Sequence, residues 1–285
     1  MKKLFAIILM AVCLGSSQAE CINIELNASY DNFRGIPDGS WNGNNGALLS
    51  GNAAVCIADM FSVQAGGSYG LYNWDGRQNL VFRNPKALQT ESFITAGIAT
   101  LIGPFNLGLV YDRVFTRHFG IYDLSPSFDQ LRFQAGYQFC CDEFGVWGTA
   151  HLETSHKNAL GLPISYRAID QINLFWSHYF DNCAKTTLWA GLPYRDSLRY
   201  EHRAAGEFIL GFSARVPLTD CLYLDGHGAY MRARQASGAF QSLNYAANIC
   251  IGITYLFDGC GCEDCSIYMP VANNSNFLID TNLNQ

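Results

Sequence analysis

Polar and apolar residues alternate along most of this chain, in runs of about ten positions set apart by turn-forming or polar joins. One run shows the pattern plainly. Leu131, Phe133, Ala135, Tyr137 and Phe139 alternate with Gln130, Arg132, Gln134, Gly136 and Gln138. In a strand these two sets point to opposite faces, and no helical arrangement separates them so cleanly. Ile22, Ile24, Leu26, Ala28 and Tyr30 stand against Asn23, Glu25, Asn27, Ser29 and Asp31 in the same way. So do Ala247, Ile249, Ile251, Ile253, Tyr255 and Phe257 against Asn248, Cys250, Gly252 and Thr254. In 207–216, Ile209 breaks an otherwise regular series.

Collected, the runs predict strands at 21–33, 47–58, 61–73, 90–101, 105–115, 129–139, 143–154, 166–180, 184–195, 205–217, 221–233 and 243–257. Pro193 has no N–H for a ladder, so the ninth should end early. The joins are short at Asp59-Met60, Ile102-Gly103-Pro104, Cys140-Cys141-Asp142, Asp181-Asn182-Cys183 and Leu218-Thr219-Asp220. They are long and polar or Gly-rich at 34–46, 74–89, 116–128, 155–165, 196–204 and 234–242. The result is an all-β fold, an antiparallel up-and-down transmembrane β-barrel of about twelve strands. An even count also returns both ends of the barrel to the short-turn rim. Within hydrocarbon an open sheet edge would strand backbone N–H and C=O groups, which is the physical case for closure. A soluble sandwich could turn the same apolar alternation inward, and the pattern alone leaves that alternative open.

The first residues, MKKLFAIILMAVCLGSSQA, join a basic start to a short apolar core and small residues at Ser17 and Ala19. Residues 1–19 therefore read as a secretory signal peptide. Its removal takes away Lys2, Lys3 and Cys13, leaving 16 basic against 24 acidic side chains and ten cysteines. That acidic balance argues against a nucleic-acid partner. No later segment reaches the length of a transmembrane helix. Charged residues make up only 15% of the chain while aromatics reach 14%, which suits a wall facing lipid better than a soluble surface. The domains expected are the leader at 1–19, a barrel at 20–257 and a Cys-rich periplasmic tail at 258–285.

With its leader, its alternating strands and the terminal aromatic pair Tyr255 and Phe257 of ITYLF, the chain resembles bacterial outer-membrane β-barrel proteins of the porin-like kind. It departs from them in carrying residues beyond the terminal aromatic. Its cysteine usage resembles the disulfide-linked outer-envelope proteins of chlamydia-like bacteria. The resemblance implies an outer-membrane location, contact with membrane lipid and passive passage of small hydrophilic solutes or ions. It also implies disulfide-linked envelope proteins as partners. The alternative function is a disulfide-linked structural envelope protein or adhesin without a pore.

The inward polar set supplies the pore-lining candidates Glu25, Asp31, Arg132, His151, Glu153, Glu207, Arg215, Asp225 and His227. Arg132 and Arg215 opposite acidic neighbours would set a transverse field and an ion preference. A packed polar interior would read identically. The disulfide candidates are Cys21, Cys56, Cys140, Cys141, Cys183, Cys221, Cys260, Cys262 and Cys265. An oxidising compartment favours disulfides there over thiolate metal ligands, and no metal or other cofactor is expected. Cys250 stands apart, within a strand and pointing inward. Ser177-His178 and Ser155-His156 place a hydroxyl beside an imidazole, but neighbours in a strand face opposite sides. No catalytic residue is assigned and no enzymatic activity is expected.

Overall fold

Where the alternation is regular, the chain is a strand. The computed structural model describes residues 22–35, 43–57, 61–75, 88–119, 123–159, 161–198, 202–234, 244–257 and 269–282. The leader at 1–19, Cys21 and the cysteines at 260, 262 and 265 lie outside them.

The first strands are β1 (Ile22–Gly35), β2 (Gly43–Ile57), β3 (Phe61–Asp75), β4 (Gln89–Ile102), β5 (Phe105–Arg117), β6 (Ser127–Phe139) and β7 (Asp142–His151). Two short strands follow, β8 (Ser155–Ala159) and β9 (Leu162–Ala168). The series continues with β10 (Gln171–Tyr179), β11 (Lys185–Pro193), β12 (Gly206–Pro217), β13 (Leu222–Arg234) and β14 (Asn244–Leu256). A last strand, β15 (Ile279–Thr281), lies far beyond them.

Twelve of these close into one barrel, in the order β1-β2-β3-β4-β5-β6-β7-β10-β11-β12-β13-β14 and back to β1. Each neighbouring pair is antiparallel, and the seam between β1 and β14 sets Tyr30 opposite Ile251 and Asp31 opposite Cys250. Closure gives every spanning strand two partners, as hydrocarbon requires. β1 begins and β14 ends at the short-turn rim, where Leu256 N donates to Cys221 O (2.9 Å) and Phe257 N to Ile24 O (3.0 Å). Two of the short turns rest on non-glycine residues at positive φ, Cys140 (53°) and Cys183 (65°).

The apolar sets face outward. Leu49, Leu174, Ile249 and Ile251 are 60%, 72%, 56% and 55% exposed, while Gln64, Glu91, Asp112, Gln130 and Gln171 are buried. This is the inverse of a soluble protein, and the apolar surface far exceeds what a soluble monomer exposes. The sandwich alternative fails on that point, since its apolar faces would be the buried ones.

The remaining strands form a small sheet of their own, ordered β15-β9-β8. β8 and β9 are a hairpin that spans the join expected at 155–165 and runs on to Ala168, which corrects the single strand expected at 166–180. That run breaks at Ile169 and Asp170, so its first residues belong to β9 and only Gln171–Tyr179 enters the barrel. The hairpin stands at the long-loop rim. β15 reaches it from below, pairing Ile279 with Ala168 and Thr281 with Tyr166.

Candidate functional site in the barrel lumen

Residues 269–282 run through the barrel from one rim to the other. Met269 starts them beside Gln64, near the short-turn end of β3, where N–H and C=O are both taken by the Gln64 amide (2.6 and 2.8 Å). Arg132 Nη2 donates to Pro270 O (2.5 Å) and Ser68 Oγ to Ala272 O (3.1 Å). Ala272 N donates to Thr95 Oγ1 (2.8 Å). Asn273 to Asn276 then make a turn, closed by Phe277 N on Asn273 O (2.9 Å) and Ser275 N on Asn273 Oδ1 (2.8 Å). Asn274 Nδ2 donates to Asp31 Oδ2 (3.0 Å), and Ser275 Oγ to Asn248. Past β15, Asn282 accepts from Ser165 N (2.8 Å) on the outer hairpin. The tail expected outside the barrel at 258–285 is thus corrected from residue 269 onward. Its polar ANNSN stretch is a turn, as its composition indicates, but a buried one.

Above the turn, the segment carries an apolar seal. Phe277 packs on Phe93 (centroids 5.6 Å) and Phe128 (5.7 Å). Val114, Phe119, Ile164, Tyr166 and Ile279 belong to the same cluster, and Leu278 joins a second with Ile169, Ile209 and Met231. At the end, Asp280 takes hydrogen bonds from Ser197 Oγ (2.7 Å) and Leu198 N (2.8 Å) and faces Arg167 Nε (3.4 Å). Burial pushes its carboxyl above the ordinary carboxylate range, against the lowering effect of those partners.

The short-turn half of the lumen is different. Glu25, Asn27, Asn106, Lys185, Ser213, Arg215 and Asp225 face inward there and stay partly exposed. Arg215 pairs with Asp225 (2.8 Å) and Glu25 (3.2 Å), and Lys185 lies 3.8 Å from Glu143. This half is a polar vestibule beneath a sealed upper half.

Of the pore-lining candidates, Glu25, Arg215, Asp225 and His227 belong to the vestibule wall. Asp31 and Arg132 are buried in the seat of the inner segment. Asp31 accepts from Tyr72 OH (2.7 Å) and Asn248 Nδ2 (2.5 Å), and Arg132 grips Asp112 with two nitrogens (2.9 and 3.2 Å). His151 sits at the long-loop rim, with Nδ1 2.8 Å from Asp170. Two candidates are corrected. Glu153 lies past the end of β7 and meets Arg113 (3.5 Å) on the outer face. Glu207 is also outside, 3.0 Å from Arg232, because the β12–β13 register shifts between Gly206 and Ile209. Ile209 keeps the inward parity of Gly211, Ser213 and Arg215; it breaks the alternation in chemistry only, as a fully buried apolar residue packed in the cluster with Leu278.

The pattern missed several functional positions. Asp112, Gln64 and Ser68 lie on polar faces that the alternation does assign, but nothing in it tells a solvated wall from one that grips another segment. Of the aromatics, Trp147 and Trp189 are packed edge to face within the lumen (5.9 Å), while Trp176 faces outward. Gly211 leaves room for the Trp189 ring, which a Cβ there would overlap.

Among the described cysteines, Cys56, Cys183 and Cys221 are disulfide-bonded. Cys140 and Cys141 are exposed and free within the chain, and Cys250 is buried and free. Ser177 and His178 face opposite ways, the first to Thr187 (2.7 Å) and the second to Asp142 (2.8 Å). His156 instead meets Ser165 across the outer hairpin (2.9 Å).

No curated protein matches the chain. Among solved structures it is similar to the Salmonella typhi outer membrane phospholipase (OMPLA) dimer with bound calcium, at 7% identity and TM-score 0.45, over 81% of this chain and 90% of that one. It is similar to a Pseudomonas aeruginosa FadL homologue at 11% identity and TM-score 0.44, over 83% of this chain and 90% of that one. The Pseudomonas putida toluene transporter TodX aligns at 9% identity and TM-score 0.40, over 85% and 91%. A family model matches residues 23–279, from the first barrel strand to the segment that fills the lumen, and the chain belongs to that family of unknown function, DUF6666.

Proposed function

We propose that the protein is an outer-membrane channel for small hydrophilic solutes, closed at rest by its own segment 269–282. The carrying observation is the lumen itself, polar and partly solvated below and stopped above by Phe277, Leu278 and Ile279. Among the described lumen-facing barrel residues, Glu25, Asp31, Glu91, Asp112, Glu143 and Asp225 outnumber Arg132, Lys185 and Arg215. This reading therefore includes a preference for cations. Short turns, the bonded Cys183 and Cys221 and the vestibule then face the periplasm, an oxidising space, and the long joins face outward. Planar-bilayer recording tests it. The full chain should be nearly silent, and a chain ending at Tyr268 should give discrete steps with a cation-selective reversal potential. A folded, truncated barrel without steps would reject it.

A second reading has its own support. The seal is continuous with the packed wall, as a barrel with a purely structural role would have it. Cys140 and Cys141, free and exposed at one turn, are then available for disulfides to neighbouring envelope proteins. Silence of both full and truncated chains, together with a mixed disulfide at this turn in intact cells, would favour it.

A further inference from the structure

The contacts between wall and inner segment have an unusual character. The wall addresses mainly the segment's main chain. Gln64, Ser68, Thr95, Gln130 and Arg132 bond to backbone groups of Met269, Pro270, Ala272 and Asn276, all from one arc of the wall between β3 and β6. The last residues continue as a backbone ladder against β9. The segment's path is also cleared of side chains. A Cβ on Gly66 would stand 2.7 Å from Val271 Cγ2, and one on Gly108 2.5 Å from Met269 Sδ. Glycine at both inward positions lets the backbone of the wall approach another chain.

We infer that the lumen is a binding site for a peptide that carries a turn midway, with residues 269–282 as its resident ligand, entering at the short-turn rim and leaving at the long-loop rim. Main-chain recognition is tolerant of sequence. Selectivity comes from two further subsites. Asp31, with Tyr72, accepts an amide side chain at Asn274, and the cluster around Phe93 and Phe128 accepts an aromatic three residues later. The ligand class is thus a short peptide with a polar amide in a turn, followed by an apolar end. The segment has no covalent bond to the wall along this path and is separable from it. The inference names the occupant of the same lumen that the channel reading uses, but it stands without conductance.

Two measurements test it. A barrel ending at Tyr268 is purified in detergent and its β content checked by circular dichroism. A fluorescent peptide of sequence 269–285 is then added and its anisotropy followed. Saturable binding is expected, weakened at least tenfold for Gly108→Leu and for Gln64→Ala barrels, with a scrambled peptide failing to compete. No saturable binding, or equal binding by the Gly108→Leu barrel, would overturn the inference. If truncation prevents folding, the full chain decides. Epitopes placed after Gln285 and, in a separate chain, after Gly161 at the tip of the outer hairpin should be labelled from the same side of the membrane. Labelling from opposite sides would overturn it. Neither measurement reads ion flow, so a peptide-binding barrel that never conducts would refute the channel and leave this site standing.

Discussion

Phe277 is the residue on which the seal turns, and Phe277→Ala isolates its contribution. The ring is 1% exposed and sits between Phe93 and Phe128, at 5.6 and 5.7 Å. Truncating a buried phenylalanine to alanine costs about 3–5 kcal/mol. The loss includes two aromatic contacts of roughly 0.5–1.5 kcal/mol each beyond their buried area. The barrel wall does not depend on this ring for its ladders, so the cost falls on the equilibrium between seated and released segment. At about 1.4 kcal/mol per decade, the released fraction rises roughly two to three and a half orders of magnitude. Hydrogen exchange with mass spectrometry reads that quantity directly. Amides of 269–282 should lose protection by this factor, while those of β2 to β5 keep theirs. If the segment exchanges as slowly in the variant as in the parent, the apolar cluster does not hold it, and the seal is misassigned. Equal loss across the wall strands would show that segment and barrel open as one unit.

Three further outcomes follow from the geometry. Arg132→Met strands Asp112, which is fully buried, and should cost about 3–5 kcal/mol in a denaturant titration, most of it recovered in Asp112→Leu/Arg132→Met; a single variant as stable as the parent would refute the pairing. Arg215→Gln leaves Glu25 and Asp225 without their shared cation, so a barrel ending at Tyr268 should shift its reversal potential further toward cations, and an unchanged potential would remove these residues from the ion path. Asp280 has a raised carboxyl pKa, so its charge opposes seating above that pKa and its protonation favours seating as pH falls through it. Exchange protection of 279–282 should therefore hold or rise on acidification, and Asp280→Asn should flatten the dependence; protection lost in acid would mean that the carboxylate is the latch.

The barrel was legible because lipid outside and a polar lumen inside impose a strict period of two on every spanning strand. The twelve strands and the return of both ends to one rim follow from that. Errors arose where the period was broken or mute. Strict alternation puts Glu207 on the inner face, but the register shift between Gly206 and Ile209 turns its side chain outward. Glu153 was counted as strand two residues after β7 has ended at His151. The hairpin β8–β9 is too short to show a period, and the run after it hides the break at Ile169-Asp170. The inner segment leaves the weakest trace of all. Its backbone is satisfied by amide and hydroxyl side chains distant in sequence, so its own residues need no alternation. The pattern shows Arg132 as an inward residue with acidic neighbours, but not as a ligand of the inner segment, because a peptide carbonyl leaves no mark in the pattern of one strand.

The seam between β1 and β14 acquires a second meaning from what passes through it. The ring is closed there by a ladder of hydrogen bonds, and residues 269–282 of the same chain lie inside it like a cord drawn through a lasso. Covalent threading of this kind is rare because a loop must form before anything can pass through it. Here the noose can tighten around a segment already laid in place, or the segment can slide in after closure. The contacts involved are among the most distant in the chain, with Gln64 and Met269 separated by 205 positions, and ordering so long a loop is slow. The order of those two events decides whether a newly made barrel passes through an open stage in the membrane before it reaches the stopped state.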